Sequence, residues 1–167
     1  MSKFGTSQPI TRLEDSRFLT GKGRYVDDIA PDGALVAHVL RSTAAHGDIV
    51  ALDVSAARSA PGVHLVLTAA DLAAAGLKNA MKYVPVKSPD GAQPPTPARP
   101  ILAEGRVRFV GEPVAFIVAD TIAQARDAAE MIDLDLDDQP AKLDIAPGGA
   151  VLHDEAPDNV AYEFAMG

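Results

Sequence analysis

Three aspartates at alternate positions, Asp133, Asp135 and Asp137, form the densest set of hard oxygen ligands in the chain. An Asp-x-Asp-x-Asp run holds calcium when a sharp glycine turn and a bidentate glutamate follow it. Here Asp138 stands in the glycine position and Asp144, a shorter acid, stands where the glutamate belongs. The spacing therefore fits the solvated face of an edge strand, whose charges discourage edge-to-edge pairing. Gly111-Glu112-Pro113 offers a different chemistry, because a carboxylate held at a fixed position can act as a general base. No nucleophile, metal-ligand group or second carboxylate accompanies Glu112 in the sequence. Glycine permits a positive φ, and Pro113 restricts Glu112 to an extended backbone. The favoured reading is a structural kink, with Glu112 facing solvent or hydrogen-bonded to neighbouring backbone.

The remaining motifs are weaker. His38, His46, His64 and His153 lack metal-ligand spacing; His38 and His64 fall within predicted strands and are expected to be half-buried and hydrogen-bonded. Gly21-Lys22-Gly23 is two-thirds of a dinucleotide fingerprint without the third glycine, a preceding strand or a following helix, so it reads as a turn. Ala80-Met81-Lys82-Tyr83 matches three of the four positions of the biotin-carrier motif. That motif needs a hairpin tip, and here a helix precedes it and a proline-rich loop follows it. No Gly-x-Ser-x-Gly elbow is present. The sequence thus predicts no catalytic, cofactor-binding or metal-ligating residue in this chain.

The elements that position these residues follow from periodicity and turn chemistry. Residues 1–33 read as an extended arm with turns. Strands are expected over Leu35–Leu40, Ile49–Val54 and Val63–Thr68, with Ser55 capping a short helix over Ala56–Ala60. Thr68 and Asp71 form a capping pair for a helix over Ala69–Ala75, ended by Gly76. Residues 85–100 hold six prolines and cannot join a central strand. They form a long surface loop, either a tolerated insertion, the favoured reading, or a lid or docking strip. Val107 opens an apolar strand that breaks at Gly111–Pro113 and resumes over Val114–Ala119, after which Asp120 caps a helix over Thr121–Met131. Ile132–Asp138 alternates as a strand, with Ile132, Leu134 and Leu136 on its apolar face. Residues 34–145 form the core, and residues 146–167 have turn and short-strand character and read as leading into something further.

Composition excludes several classes. The 167 residues carry a formal net charge of −8, which opposes nucleic-acid binding and docking on an anionic membrane. No apolar run reaches the roughly 20 residues of a membrane span, and no signal-peptide core opens the chain. With no cysteine there is no disulfide and no thiolate ligation within it. The expected location is the cytoplasm.

Several blocks in register carry a resemblance. Arg12-x-Glu-Asp-x-Arg-Phe-Leu-Thr-Gly-x-Gly-x-Tyr-Val-Asp-Asp-Ile29, Arg41-Ser-x-x-Ala-His46 and Pro61-Gly-Val63 through Leu72 come first. Pro100-Ile-Leu-Ala103, Val107–Ala119 and Asn159-Val160 follow. Together they resemble the hammerhead domain that opens the large subunit of molybdenum hydroxylases, with carbon monoxide dehydrogenase-type large chains closest in look. The resemblance implies an α+β hammerhead fold: a mixed sheet with two helices on one side. It also implies that catalytic residues lie beyond residue 167, on domains that hold a molybdenum–molybdopterin cytosine dinucleotide. Iron–sulfur and FAD subunits would complete the complex. On this reading the chain is a non-catalytic structural part of an oxidoreductase acting on a small substrate such as CO, an aldehyde or a purine. The alternative is a free-standing binding or scaffold domain of the same fold. An in-frame continuation of the gene past codon 167 would favour the first, and a stop codon the second.

Overall fold

In the computed structural model, which describes residues 12–81, 87–91, 94–95, 97–161 and 163, the chain divides into two compact units, Met1–Ala34 and Leu35–Gly167. The first unit was expected to be extended, but it contains helix α1 (Asp15–Leu19) and a 3-10 turn at Val26–Asp28. Local contacts hold it. Phe18 stacks on Tyr25 with ring centroids 5.8 Å apart, the Arg17 guanidinium lies 5.3 Å from the Phe18 ring centroid, and the Tyr25 N–H donates to Asp28 Oδ2 at 2.8 Å. Gly21, with φ 68°, ends α1 by donating to the Phe18 carbonyl, which agrees with its reading as a turn.

In the second unit the expected strands divide between two three-stranded antiparallel sheets rather than sharing one mixed sheet. The first has the order β1 (Val36–Arg41), β5 (Pro113–Ala119), β3 (Val63–Leu67). The second has the order β4 (Arg106–Val107), β2 (Gly47–Asp53), β6 (Asp133–Asp138). The kink at Gly111–Pro113 explains the division, because it carries the chain from β4 in one sheet to β5 in the other. β1 and β5 share a sheet as the sequence indicates, and helices with antiparallel sheets make the fold α+β as expected.

Alternation along β5 sets the layers. Ala115, Ile117 and Ala119 are fully buried against α2 (Ser55–Arg58) and α4 (Ile122–Glu130), whose Ala57, Ala125 and Ala128 are also fully buried. Small side chains let α4 lie close to the sheet, and burying Ile117 contributes roughly 1.5–3 kcal/mol. The opposite face carries Phe116 and Leu67, which meet Leu72 of α3 (Ala69–Ala74) and Leu102. The two helices expected on one side therefore separate: α4 pairs with α2, and α3 lies on the other face, because Val66 and Leu67 at the end of β3 point oppositely. Val114 joins Val107, Ile49, Leu134 and Leu136 in a third cluster that ties the two sheets together.

Helix ends follow side-chain chemistry closely. Thr68 and Asp71 form the expected reciprocal capping box of α3. For α4 the cap is Thr121, which accepts from Gln124 N–H at 3.2 Å, and not Asp120, whose carboxylate instead meets His64. Ser55 lies inside α2 rather than capping it, and Asp53 accepts the Ser55 N–H at 2.8 Å. On β6 the aspartates are exposed while Leu134 and Leu136 turn inward, as an edge strand requires. No strand forms among the described residues of 146–163, where turns replace the expected short strands. Within the 85–100 loop the described residues form no strand. Lys82 and Tyr83 of the carrier-like motif lie outside the described residues.

Candidate functional site

Two chain crossings between the sheets, residues 42–46 and residues 108–112, meet at the kink. Gly111 adopts φ 90°, a backbone that strongly favours glycine. Its N–H donates to the Ser42 carbonyl at 2.8 Å, and the Ser42 N–H donates to the Glu112 carbonyl at 2.9 Å. Arg41 Nη1 donates to the Gly111 carbonyl at 2.8 Å. Beyond the kink, the Ala103 N–H donates to the Pro113 carbonyl at 2.7 Å. Ser42 is itself buried, its hydroxyl donating to the Ala44 carbonyl at 3.0 Å.

Glu112 is only 3% exposed. Its Oε2 accepts the Arg108 backbone N–H at 2.5 Å, so the carboxylate bridges the turn that precedes it. A buried acceptor needs a donor, and the turn supplies one from four residues earlier. The Arg108 side chain continues the network by donating from Nε to the Leu152 carbonyl at 2.8 Å. Arg106 Nε donates to Asp48 Oδ1 at 2.5 Å across β4 and β2. That hydrogen bond holds the Asp48 carboxyl below its ordinary value and raises the Arg106 guanidinium above its own. Burial, and then the positive Arg108 nearby, lowers the His153 imidazole below 6.5.

The histidines separate into different environments. His64 is about half exposed and meets Asp120 Oδ1 through Nε2 at 2.7 Å, so it is a hydrogen-bonded surface residue rather than a core histidine. His38 is half-buried, with no hydrogen bond among those described. His46, which the sequence places in a turn, is the most buried of the four at 5% exposure. Its Nδ1 lies 2.8 Å from the Pro140 carbonyl and must donate to it, while Nε2 has no partner among the described residues. The sequence block Arg41-Ser-x-x-Ala-His46 marks this region but reveals none of its bonds. Asn159 was also missed as an organiser: at φ 61° its side chain donates to Gly148 and Ala150 carbonyls and accepts the Leu152 N–H. Asparagine is among the non-glycine residues tolerated best in the left-handed region, so its residue type was the available signal.

This arrangement locks a junction. Among the described residues, no three His, Cys, Asp or Glu side chains group as a metal site. A dinucleotide cofactor would need convergent backbone donors, and three of the candidate donors are committed elsewhere. Gly148 N–H bonds the Asp158 carbonyl. Thr68 and Thr121 take the N–H groups of Asp71 and Gln124 in the first turns of α3 and α4.

The nicotine 6-hydroxylase large subunit of Paenarthrobacter nicotinovorans is 43% identical over 156 residues, covering 90% of this chain and 18% of its own length. The carbon monoxide dehydrogenase large chain of Afipia carboxidovorans is 36% identical over 153 residues, covering 89% and 18%. The crystal structure of quinoline 2-oxidoreductase from Pseudomonas putida 86 matches with a TM-score of 0.65 at 40% identity, over 84% of this chain and 16% of that one. Cu,Mo-CO dehydrogenase gives a TM-score of 0.70 at 34% identity, over 92% and 18%. The chain thus spans less than a fifth of the length of the relatives it matches. No described helix is long and apolar enough to cross a membrane. The family described as aldehyde oxidase and xanthine dehydrogenase, a/b hammerhead domain, matches residues 20–140, and this chain belongs to it.

Proposed function

We propose that this chain serves as the non-catalytic hammerhead domain of a molybdopterin-dependent oxidoreductase large subunit, bracing the cofactor-binding domains and shaping the approach of a small substrate. One observation carries this reading: 90% of the chain aligns with 18% of the length of a hydroxylase large subunit. The junction supports it, because Gly111, Glu112 and Pro113 are committed to backbone geometry and their polar groups are directed at neighbouring peptide units. In this role the molybdenum–molybdopterin cytosine dinucleotide would be held by the rest of the large subunit. Iron–sulfur and FAD subunits would take up the electrons, in the cytoplasm. The substrate would be hydroxylated by groups outside these 167 residues.

The test is a chimera in which residues 12–161 replace the matching segment of the nicotine 6-hydroxylase large subunit. A bracing domain of this family restores a folded, molybdenum-loaded large subunit. A chimera that remains without molybdenum while the parent subunit loads normally contradicts the proposal.

A further inference from the structure

Residues 148–160 form a strap that is bonded mainly to itself. The Gly148 N–H donates to the Asp158 carbonyl at 2.7 Å, and the Ala156 N–H donates to the His153 carbonyl at 2.9 Å. Asn159 ties the two limbs of the strap through the Gly148 and Ala150 carbonyls and the Leu152 N–H. One described hydrogen bond joins the strap to the rest of the domain: Arg108 Nε, just past β4, donates to the Leu152 carbonyl at 2.8 Å. None of the three core clusters includes a strap residue, and Ala156 is the strap's buried hydrophobic residue. A segment held by so few contacts opens at lower free energy than the whole domain unfolds. The residue beside the gripped carbonyl is His153, which is half-buried and feels the positive charge of Arg108. Asp154 and Glu155 on the strap are exposed and act on His153 in the opposite sense, and Asp154 also acts on Arg106.

We propose that residues 148–160 are a pH-sensitive strap: protonation of His153 beside Arg108 favours release of the strap from β4 while both sheets stay folded. A second positive charge next to a guanidinium, in a partly buried site, opposes the one bond that anchors the strap. With the strap closed, burial and then Arg108 hold His153 below its ordinary value, outweighing Glu155 and Asp154. The released histidine, in water, binds its proton more readily. Closure is therefore fully favoured above about pH 6.5 and weakens as pH falls through the closed-state value. Release frees the Arg108 guanidinium, whereas the Arg108 backbone N–H stays with Glu112 and keeps the kink intact. The device is independent of the function proposed above.

Amide hydrogen exchange on the 167-residue chain, expressed as protection factors, tests this. The Gly148, Leu152, Ala156 and Asn159 N–H groups report the strap, and the N–H of Ile117, in the central strand of its sheet, reports the sheets. Strap amides should be roughly tenfold or more less protected than Ile117. Their protection should fall about threefold or more from about pH 7.5 to about pH 5, in step with the His153 ring titration followed by NMR. His153→Gln should abolish that fall. If the strap of this variant is already open at about pH 7.5, Glu155→Gln decides instead. It removes a charge that favours the protonated ring, so the fall should move to lower pH. Strap amides as protected as Ile117 would mean that the strap opens only with the whole domain, and would overturn the proposal. A fall that persists in His153→Gln, or that Glu155→Gln leaves in place, does the same.

Discussion

Glu112 shows how a residue with catalytic potential becomes structural. Its carboxylate lies at 3% exposure with the Arg108 N–H as its donor, so removing the side chain strands a buried donor. Glu112→Ala should cost roughly 1–3 kcal/mol in urea unfolding, and Glu112→Gln, which keeps an acceptor oxygen, clearly less. Equal losses for the two would show that the acceptor is irrelevant. Gly111→Ala tests the kink separately. A Cβ there meets no atom within 4 Å, so the loss of about 1–2 kcal/mol comes from the left-handed backbone alone. His153 carries a pH signature. Burial lowers its folded value below 6.5, so the unfolded chain binds the proton more readily. Its contribution to stability is complete above pH 6.5 and is lost as pH falls through the folded value. His153→Gln should flatten the stability profile below pH 6.5, and a variant with the same slope as the parent would contradict this. Asp48 and Asp71, both lowered from 3.8 by hydrogen bonds, act further down: their stabilisation is present above that value and fades on acidification through the folded values.

At the scale of elements, alternation and capping chemistry made most strands and helices legible. The Asp133–Asp135–Asp137 comb gave the orientation of β6, and Thr68 with Asp71 gave the start of α3. Misassigned caps arose where two candidates adjoin. Asp120 and Thr121 can both cap a helix, and the partner that decides between them, His64, is 56 residues away in sequence. The division into two sheets was equally hidden, because Gly111–Pro113 signals a break without saying that the chain changes partners there. Thr121→Ala should cost about 1 kcal/mol by thermal or urea unfolding, while Asp120→Ala, which removes only an exposed hydrogen bond to His64, should cost less. Reversed magnitudes would return the cap to Asp120. The acidic face of β6 makes a second prediction. Asp135→Val with Asp137→Val should promote edge-to-edge association, seen as a larger sedimentation coefficient at high concentration; a double variant that stays at the parent's value would remove the protective role.

On the scale of the whole molecule, the family was legible because its sequence blocks fall in order along the chain. The junction contacts were not, because Ser42, Glu112 and Arg108 meet only after both crossings fold. His46 offers the same lesson, since nothing in its turn-like neighbours shows that the Pro140 carbonyl will cover it. The central claim is that these 167 residues brace chemistry performed elsewhere. Molybdenum quantified by elemental mass spectrometry on the purified chain, with dye reduction assayed on the same sample using carbon monoxide, aldehydes and purines, tests it most directly. The account predicts no stoichiometric molybdenum and no turnover. Stoichiometric molybdenum with turnover would contradict it and place the active site within this chain.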